Sequence, residues 1–147
     1  MSFPPKDPNF EARVRASFAQ QSAMRTLGVE IVQLEPGEVE FSMPYSANFT
    51  QQNGYIHAGI ITTALDSACG YAAFTLMPPD AAVLTVEFKT TLTAPAKGER
   101  FIFRAKVVKP GRALTFCEGR AFGVTNGEER LIATMSGTLF ALFEKKG

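Results

Sequence analysis

The 147-residue chain contains one histidine, two cysteines and no tryptophan, and its formal net charge is only +1. With a single histidine, Cys69 and Cys117 lack the partners for an ordinary zinc site, so no metal is expected. The near-neutral charge, with no cluster of Lys and Arg among aromatic residues, gives no electrostatic basis for binding nucleic acid. No internal repeat or linker is present. The length, with 46% hydrophobic residues, therefore predicts one domain, residues 1–147.

The start of the chain and the cysteines predict a cytoplasmic protein. Met1–Lys6 is polar and proline-rich and lacks the apolar core of a secretory signal. Cys69 falls in an apolar helical segment and Cys117 in a strand-like segment, as is typical of buried free thiols in a reducing compartment. That apolar segment is the only candidate for a membrane span. It contains Asp66, His57 and several Ser, Thr and Gly residues, which argue against one.

The most informative segment is residues 51–77, which contains the only histidine, His57. From Ile56 to about Met77 there is no proline, and two prolines follow directly, so the segment predicts one long helix. Small and apolar residues occur on every face, and a helix of that kind is buried. Asp66 is its only acidic or basic residue apart from the histidine. Because an unpaired buried carboxylate is costly, Asp66 must be paired, protonated or functional.

His57 and Asp66 are nine residues apart. At about 100° and ~1.5 Å per residue, they lie on opposite faces of one helix and roughly 13 Å apart along its axis. One helix cannot direct both groups at one substrate, so a shared reaction needs the second group from another subunit. The spacing therefore predicts a dimer with shared sites. A purely structural explanation, in which His57 caps the helix and Asp66 bonds Thr62, Thr63 or Ser67, remains open at this point.

The flanking segments predict an α+β domain. Residues 9–27 have apolar residues near helical spacing and predict an amphipathic helix. Six further segments are rich in strand-forming residues and are separated by Pro, Gly and Asn turns. They predict strands at about 29–34, 39–43, 82–92, 100–108, 114–124 and 131–143. Three of these segments alternate apolar and polar residues, so one face of an antiparallel sheet is solvated while the long helix is buried against the other.

The combination of motifs resembles the hotdog-fold acyl-CoA thioesterases of the phenylacetate-pathway (PaaI-like) type. The resemblance covers about residues 27–143. It rests on Asn-Gly-Tyr-Ile-His-Ala-Gly at 53–59 with an acid nine residues after the His, on Thr-Ala-Pro-Ala-Lys-Gly-Glu at 93–99, and on Val-Lys-Pro-Gly-Arg-Ala-Leu at 108–114. It implies an antiparallel sheet of about six strands wrapped around the long central helix, with an additional N-terminal helix at about 9–27. It also implies that two subunits join their sheets side by side.

The resemblance assigns a role to the turn at the start of the central helix. Backbone N–H groups at this helix N-terminus would bind the oxyanion formed when the thioester carbonyl is attacked. By position these donors are Ala58, helped by Gly59, while His57 would orient the turn or the carbonyl. The family pattern is His-Gly-Gly, and this chain has alanine in the second position. Alanine still offers a backbone N–H, so the role is retained.

The remaining catalytic positions also follow from the resemblance. Asp66 of the partner subunit matches the family acid, which acts as a general base on water or as a nucleophile on the thioester. Gln51, six residues before the His, matches the residue that holds the carbonyl or the water, with Gln52 and Asn53 as neighbouring alternatives. Thr85 matches a Ser/Thr position that assists the nucleophilic water.

The turn at Lys109–Arg112 carries two cations and backbone N–H groups suited to phosphates. An ordinary solvated hairpin turn is the alternative explanation, but in the family this turn and the next strand hold the nucleotide of coenzyme A. The acyl group would lie between helix and sheet. The substrate-binding positions implied are Asn53, Ile61, Tyr71, Phe74, Phe88, Lys109, Gly111, Arg112, Ala113 and Leu114.

The predicted function is hydrolysis of small to medium acyl- or aryl-CoA thioesters by a homodimer or a dimer-of-dimers homotetramer, without metal or other cofactor. One alternative is a 3-hydroxyacyl thioester dehydratase, but that branch usually has Phe-Pro-Gly-x-Pro after its histidine, where this chain has Ala-Gly-Ile-Ile-Thr at 58–62. Another is a non-catalytic acyl-CoA sensor. Such proteins tend to carry an appended DNA-binding region, for which the N-terminal helix is too short and insufficiently basic.

Overall fold

The computed structural model describes residues 3–143. In that range the chain forms three α-helices, six β-strands and one short 3-10 turn. In chain order they are α1 Phe10–Gln20, α2 Ser22–Leu27, β1 Glu30–Glu35, β2 Glu38–Pro44, the 3-10 turn Ala47–Phe49, α3 Ala58–Phe74, β3 Ala81–Leu92, β4 Arg100–Lys109, β5 Leu114–Thr125 and β6 Glu128–Phe143.

The strands form one sheet in the order β1-β2-β4-β5-β6-β3, and all neighbouring strands are antiparallel. Helix α3 crosses one face of this sheet and contacts β2, β3, β4, β5 and β6. This is the hotdog arrangement, so the predicted fold is confirmed. Strand β3 lies at one edge and pairs only with β6 among the described strands, which leaves its other edge open.

The alternation of residues along β4 explains how the sheet holds α3. Phe101, Phe103 and Ala105 are buried on the helix side, whereas Arg104 and Lys106 are exposed on the other side. Burying one such phenylalanine contributes about 1.5–3 kcal/mol. On the neighbouring β5, a Cβ at Gly119 would come within 2.8 Å of Leu65 Cδ1 and 3.0 Å of Cys69 Sγ. The helix therefore packs directly on the sheet backbone, which fixes the position of residues along α3.

The prediction of a single N-terminal helix at 9–27 is wrong, because the helix is interrupted at Gln21 and forms two shorter helices, α1 and α2. Gln21 has an extended backbone, with φ −82° and ψ 97°. The core explains the break. Val14 and Leu27 are both buried, but 13 residues of straight helix would place them about 140° apart around the axis. Two short helices with a break between them allow both side chains to reach the core.

Arg13 fastens α1 to the end of α3. Its guanidinium donates hydrogen bonds to the carbonyl oxygens of Phe74, Met77 and Pro78 at 2.6–2.9 Å, and it pairs with Asp7 at 3.2 Å. Phe74 is the last residue of α3, and Met77 and Pro78 lie in the turn that follows it. The carbonyl oxygens of Phe74 and Pro78 also accept backbone N–H bonds, so Arg13 adds a second donor to each. The N-terminal segment is therefore held against the second half of α3.

The predicted central helix at 56–77 forms at 58–74, and the predicted strands form within three residues of their expected ends. Ile56 instead makes an isolated bridge with Thr50, which shortens the helix at its start. None of the helices within residues 3–143 is both long and apolar enough to cross a membrane.

Candidate active site

His57 is the N-cap of α3. Its Nδ1 accepts a hydrogen bond from the N–H of Gly59 at 2.9 Å. A Cβ at position 59 would lie 3.3 Å from that nitrogen, so a glycine allows the ring to fold over the helix start. The N–H of Gly59 is thus engaged, and Gly59 does not offer the free donor expected of it. The N–H of Ala58 has no acceptor among the hydrogen bonds of residues 3–143.

Gln51 shapes the loop before the helix. Its Oε1 accepts hydrogen bonds from the N–H groups of Asn53 at 2.5 Å and Tyr55 at 3.4 Å, while Gly54 supplies the positive φ of 85° that closes the turn. Gln51 lines a cavity of about 560 Å³, whereas Gln52 and Asn53 do not. Its lining residues are Gln51, Tyr55, Ile56, His57, Ala58, Leu92, Thr93, Ala94, Pro95 and Ala96.

Asp66 and Thr85 come together as the resemblance implies. The Thr85 hydroxyl donates to Asp66 Oδ1 at 2.8 Å, linking the middle of α3 to β3. The register of β3 against β6 shifts directly after Thr85, at a bulge. Burial raises the pKa of Asp66 above its ordinary value, and the hydrogen bond from Thr85 partly offsets that rise. A half-buried carboxyl group of this kind is suited to proton transfer.

A second cavity, of about 310 Å³, adjoins Asp66 and Thr85. Tyr71 and Phe74 line it, as predicted for the acyl group. Ser17, Gln21 and Ser67 also line it and were not among the predicted site residues. The complete lining is Ser17, Gln21, Asp66, Ser67, Gly70, Tyr71, Phe74, Ala81, Ala82, Val83 and Thr85. Two hydrogen bonds join its walls: Ser67 Oγ to Gln21 Oε1 at 2.8 Å, and Ser17 Oγ with the Tyr71 hydroxyl at 3.2 Å.

The His57 cavity and the Asp66 cavity have no lining residue in common. This agrees with the helix geometry, which places His57 and Asp66 roughly 13 Å apart on opposite faces. One chain therefore carries two separate candidate half-sites of different chemistry. The half-site at Ala58 offers a free N–H at a helix N-terminus, and the half-site at Asp66 offers a carboxyl group with a hydroxyl beside it.

The predicted coenzyme A turn connects β4 and β5. Gly111 and Arg112 line a cavity of about 240 Å³, and Lys109 ends β4 next to it. A Cβ at Gly111 would collide with the carbonyl oxygen of Leu114, so the turn requires glycine there. The carbonyl of Ala113 accepts the N–H of Ala141 at 2.9 Å, which ties the turn to β6.

Two predicted contacts of the acyl group differ in their exposure. Phe88 lies on the edge strand β3 and is 44% exposed. Ile61 is fully buried in the core and lines neither cavity, so its contact with substrate stays a prediction. An all-apolar helix has no periodicity to indicate which face meets the sheet, and Ile61 is on the face that does.

Residues 53–129 match the sequence pattern of the Thioesterase superfamily. The match covers more than half of the chain, and the chain therefore belongs to this superfamily. The predicted resemblance to hotdog thioesterases is confirmed, and thioester hydrolysis is the general activity that the family supports.

Individual relatives agree with this assignment. A thioesterase family protein from Silicibacter pomeroyi, known from its crystal structure, is 58% identical, with a TM-score of 0.91 over 92% of this chain and 99% of that one. The Escherichia coli PaaI protein of the phenylacetic acid degradation operon shares the fold at 16% identity, with a TM-score of 0.81 over 91% of this chain and 94% of that one. A relative from Saccharolobus solfataricus named "Putative esterase" is 33% identical over 63% of this chain, and the match spans 65% of that relative's length.

Proposed function

We propose that this protein hydrolyses small to medium acyl- or aryl-CoA thioesters, releasing the free acid and coenzyme A. Each active site would combine Asp66 of one subunit with the helix N-terminus of the other. The observation that carries the proposal is the pair of complementary half-sites on α3, one a free N–H at Ala58 and the other the carboxyl group of Asp66 bonded to Thr85. Neither half-site is sufficient for hydrolysis alone.

The half-site at Ala58 is suited to the substrate carbonyl. A helix N-terminus carries partial positive charge, and a free N–H there stabilises an oxyanion as it forms. His57 adds a second donor. Because its Nδ1 accepts from Gly59, the neutral imidazole carries its proton on Nε2. Nε2 would donate to the carbonyl oxygen alongside the N–H of Ala58.

The half-site at Asp66 supplies the other reactant. As a general base, Asp66 takes a proton from water while the water oxygen attacks the thioester carbon; the C–S bond then breaks, and the coenzyme A thiolate receives the proton. As a nucleophile, the carboxylate attacks that carbon itself, the thiolate leaves and is protonated by solvent, and water hydrolyses the mixed anhydride. Both routes use chemistry that protein side chains and water supply, so we also propose that no cofactor takes part.

A homodimer is supported by the open edge of β3. This strand is 12 residues long, and its apolar side chains Leu84, Val86, Phe88 and Leu92 are 44–57% exposed. A long, apolar, unpaired edge strand invites association. Pairing the β3 edges of two chains would satisfy its unpaired backbone groups and place this apolar strand in the interior of a continuous sheet. A second apolar group on β5 and β6, including Phe116 and Leu142 at 45% and 42% exposure, favours association of such dimers into tetramers.

A panel of acyl-CoA esters tests the proposal. The Asp66 cavity combines the small residues Gly70 and Ala81 with the aromatic walls of Tyr71 and Phe74. We therefore expect medium aliphatic or aryl-acetyl groups to be better substrates than acetyl or palmitoyl, with each added CH₂ contributing about 0.8 kcal/mol until the cavity is full. Release of free thiol from acetyl, intermediate chain, palmitoyl, phenylacetyl and benzoyl esters measures this. An optimum at acetyl would contradict the assigned pocket, and tight binding of several esters without turnover would indicate a sensor.

Lys109→Ala and Arg112→Ala are each expected to raise KM for acyl-CoA about three- to tenfold, with a smaller effect on kcat. Contacts with the nucleotide are made equally in the ground state and the transition state, so their loss weakens binding without slowing chemistry. Thioesters that lack the nucleotide should be hydrolysed as before. Arg15→Ala is the control, since Arg15 is an exposed cation on α1, far from this turn in sequence. Equal losses on both kinds of substrate would show that the turn residues support the fold rather than the coenzyme.

A further inference from the structure

Gln21 lies at the break between α1 and α2 and lines the same cavity as Asp66. Its Oε1 accepts a hydrogen bond from Ser67 Oγ at 2.8 Å, and Ser67 directly follows Asp66 on α3. This bond orients the carboxamide. Its Nε2 donates to no acceptor among the hydrogen bonds of the described chain. Gln21 therefore brings an N–H donor to the cavity that is not engaged elsewhere.

The position of Gln21 is fixed from both sides. Before the break, Arg13 attaches α1 to the carbonyls that end α3, and Ser17 is hydrogen bonded to Tyr71. After the break, Met24 of α2 is fully buried in the core. The extended backbone of Gln21 lies between these anchors. Its side chain is therefore held at the cavity rather than free to move on the surface.

A water molecule beside Asp66 could accept a hydrogen bond from such a donor. The carboxylate of Asp66 can only accept hydrogen bonds, and Thr85 uses its hydroxyl hydrogen in the bond to Asp66 Oδ1, so it too can only accept. A water that donates one hydrogen to each of them has two lone pairs left. Gln21 Nε2 can donate to one of these, which leaves the other directed at the thioester carbon.

We propose that Gln21 is a positioning residue that donates a hydrogen bond from Nε2 to the hydrolytic water at Asp66. The proposal rests on the hydrolysis proposed above. In that step the water oxygen bonds to the carbonyl carbon and its proton passes to Asp66, while Gln21 keeps its own hydrogens. This account applies to the general-base route. On the nucleophile route Asp66 is itself acylated, and the water that attacks the mixed anhydride would pass its proton to the Asp66 carboxylate as that carboxylate leaves, with Gln21 Nε2 again donating to the water oxygen.

Gln21→Met tests the proposal, because methionine keeps the length and unbranched shape but has no donor. We expect kcat to fall about 10- to 100-fold, since loss of orientation at the reacting centre has effects of that size. The fall should be similar for every acyl-CoA hydrolysed, and KM should change less than about twofold. Gln20→Met is the matched control, because Gln20 is the neighbouring glutamine, is exposed and does not line the cavity. Its kcat should equal that of the wild type.

A second variant, Gln21→Glu, covers the case in which Gln21→Met does not fold, as judged by its melting temperature. Glutamate keeps the acceptor for Ser67 and removes the donor, so kcat should fall here also, measured on the alkaline plateau of the pH profile. Unchanged kcat in either folded variant would overturn the proposal. A loss that appears in KM and differs between acyl groups would also overturn it, and would make Gln21 a wall of the acyl pocket. If Asp66→Asn is inactive while Gln21→Met is fully active, the proposed hydrolysis stands and only the role assigned to Gln21 fails.

Discussion

Asp66→Asn is expected to lower kcat for the best acyl-CoA substrate by about two orders of magnitude or more, with a much smaller change in KM. Asparagine has the shape of aspartate, and its Oδ1 can still accept the hydrogen bond that Thr85 gives at 2.8 Å. It can neither take a proton from water nor attack the thioester. The loss therefore measures the chemistry of the carboxylate alone, and steady-state thiol release is the assay.

The pH dependence and the stability of this variant separate catalysis from folding. Burial raises the pKa of Asp66, so the fold favours its neutral form and the charged form costs stability above the ordinary aspartate pKa. Replacing the carboxylate by a neutral amide removes that cost at pH 7. The melting temperature of Asp66→Asn should therefore be unchanged or higher. Wild-type kcat should fall as pH falls through the raised pKa of Asp66. The residual kcat of Asp66→Asn should not show this fall with decreasing pH.

Asp80→Asn is the matched control for this experiment. Asp80 is an exposed aspartate in the connection between α3 and β3 and does not line the Asp66 cavity. Its replacement should leave kcat and its pH profile as in the wild type. Near-full activity of Asp66→Asn on the best substrate would show instead that Asp66 is structural, and the proposed mechanism would be wrong.

Most of the fold could be predicted from the sequence, because local patterns of apolar and polar residues determine where its strands and central helix form. The alternation of Phe101 and Phe103 with Arg104 and Lys106 marks a strand with one buried face, and the structure contains that strand. The break at Gln21 was not predictable in this way. Residues 9–27 have helical spacing throughout, and the break allows Val14 and Leu27 both to reach a core formed by elements distant in sequence.

The sequence predicted those residues of the candidate site that the packing of the fold does not explain. A lone acid in an apolar helix and a histidine at its start stand out from any local pattern, and these residues define the two half-sites. Thr85 could be paired with Asp66 only through the family resemblance, because a threonine in a strand is common. Gln21 gave no local signal. Its place in the cavity follows from the docking of α1 on α3, which only the three-dimensional structure reveals.

Ala58→Pro is expected to lower kcat by about 10²–10³, the usual cost of removing one oxyanion donor. Ala58 is the first residue of α3, where proline fits well because the missing N–H has no partner within the helix. His57, which precedes it, has φ −58° and ψ 136°, a conformation compatible with a following proline. The variant should therefore fold normally while lacking the free N–H. Retention of full activity by a folded Ala58→Pro would exclude this N–H as the oxyanion donor.

Co-expression of Ala58→Pro with Asp66→Asn tests whether the two half-sites meet between subunits. If each site takes Asp66 from one chain and Ala58 from the other, a mixed dimer has one site with both groups intact and one with neither. Random pairing gives about half mixed dimers, so the preparation should regain about a quarter of wild-type activity. Each variant expressed alone is the control and should remain inactive. If the site lay within one chain, every site in the mixture would lack one group and no activity would return. A wild-type protein that is monomeric by light scattering yet fully active would contradict the shared site as well.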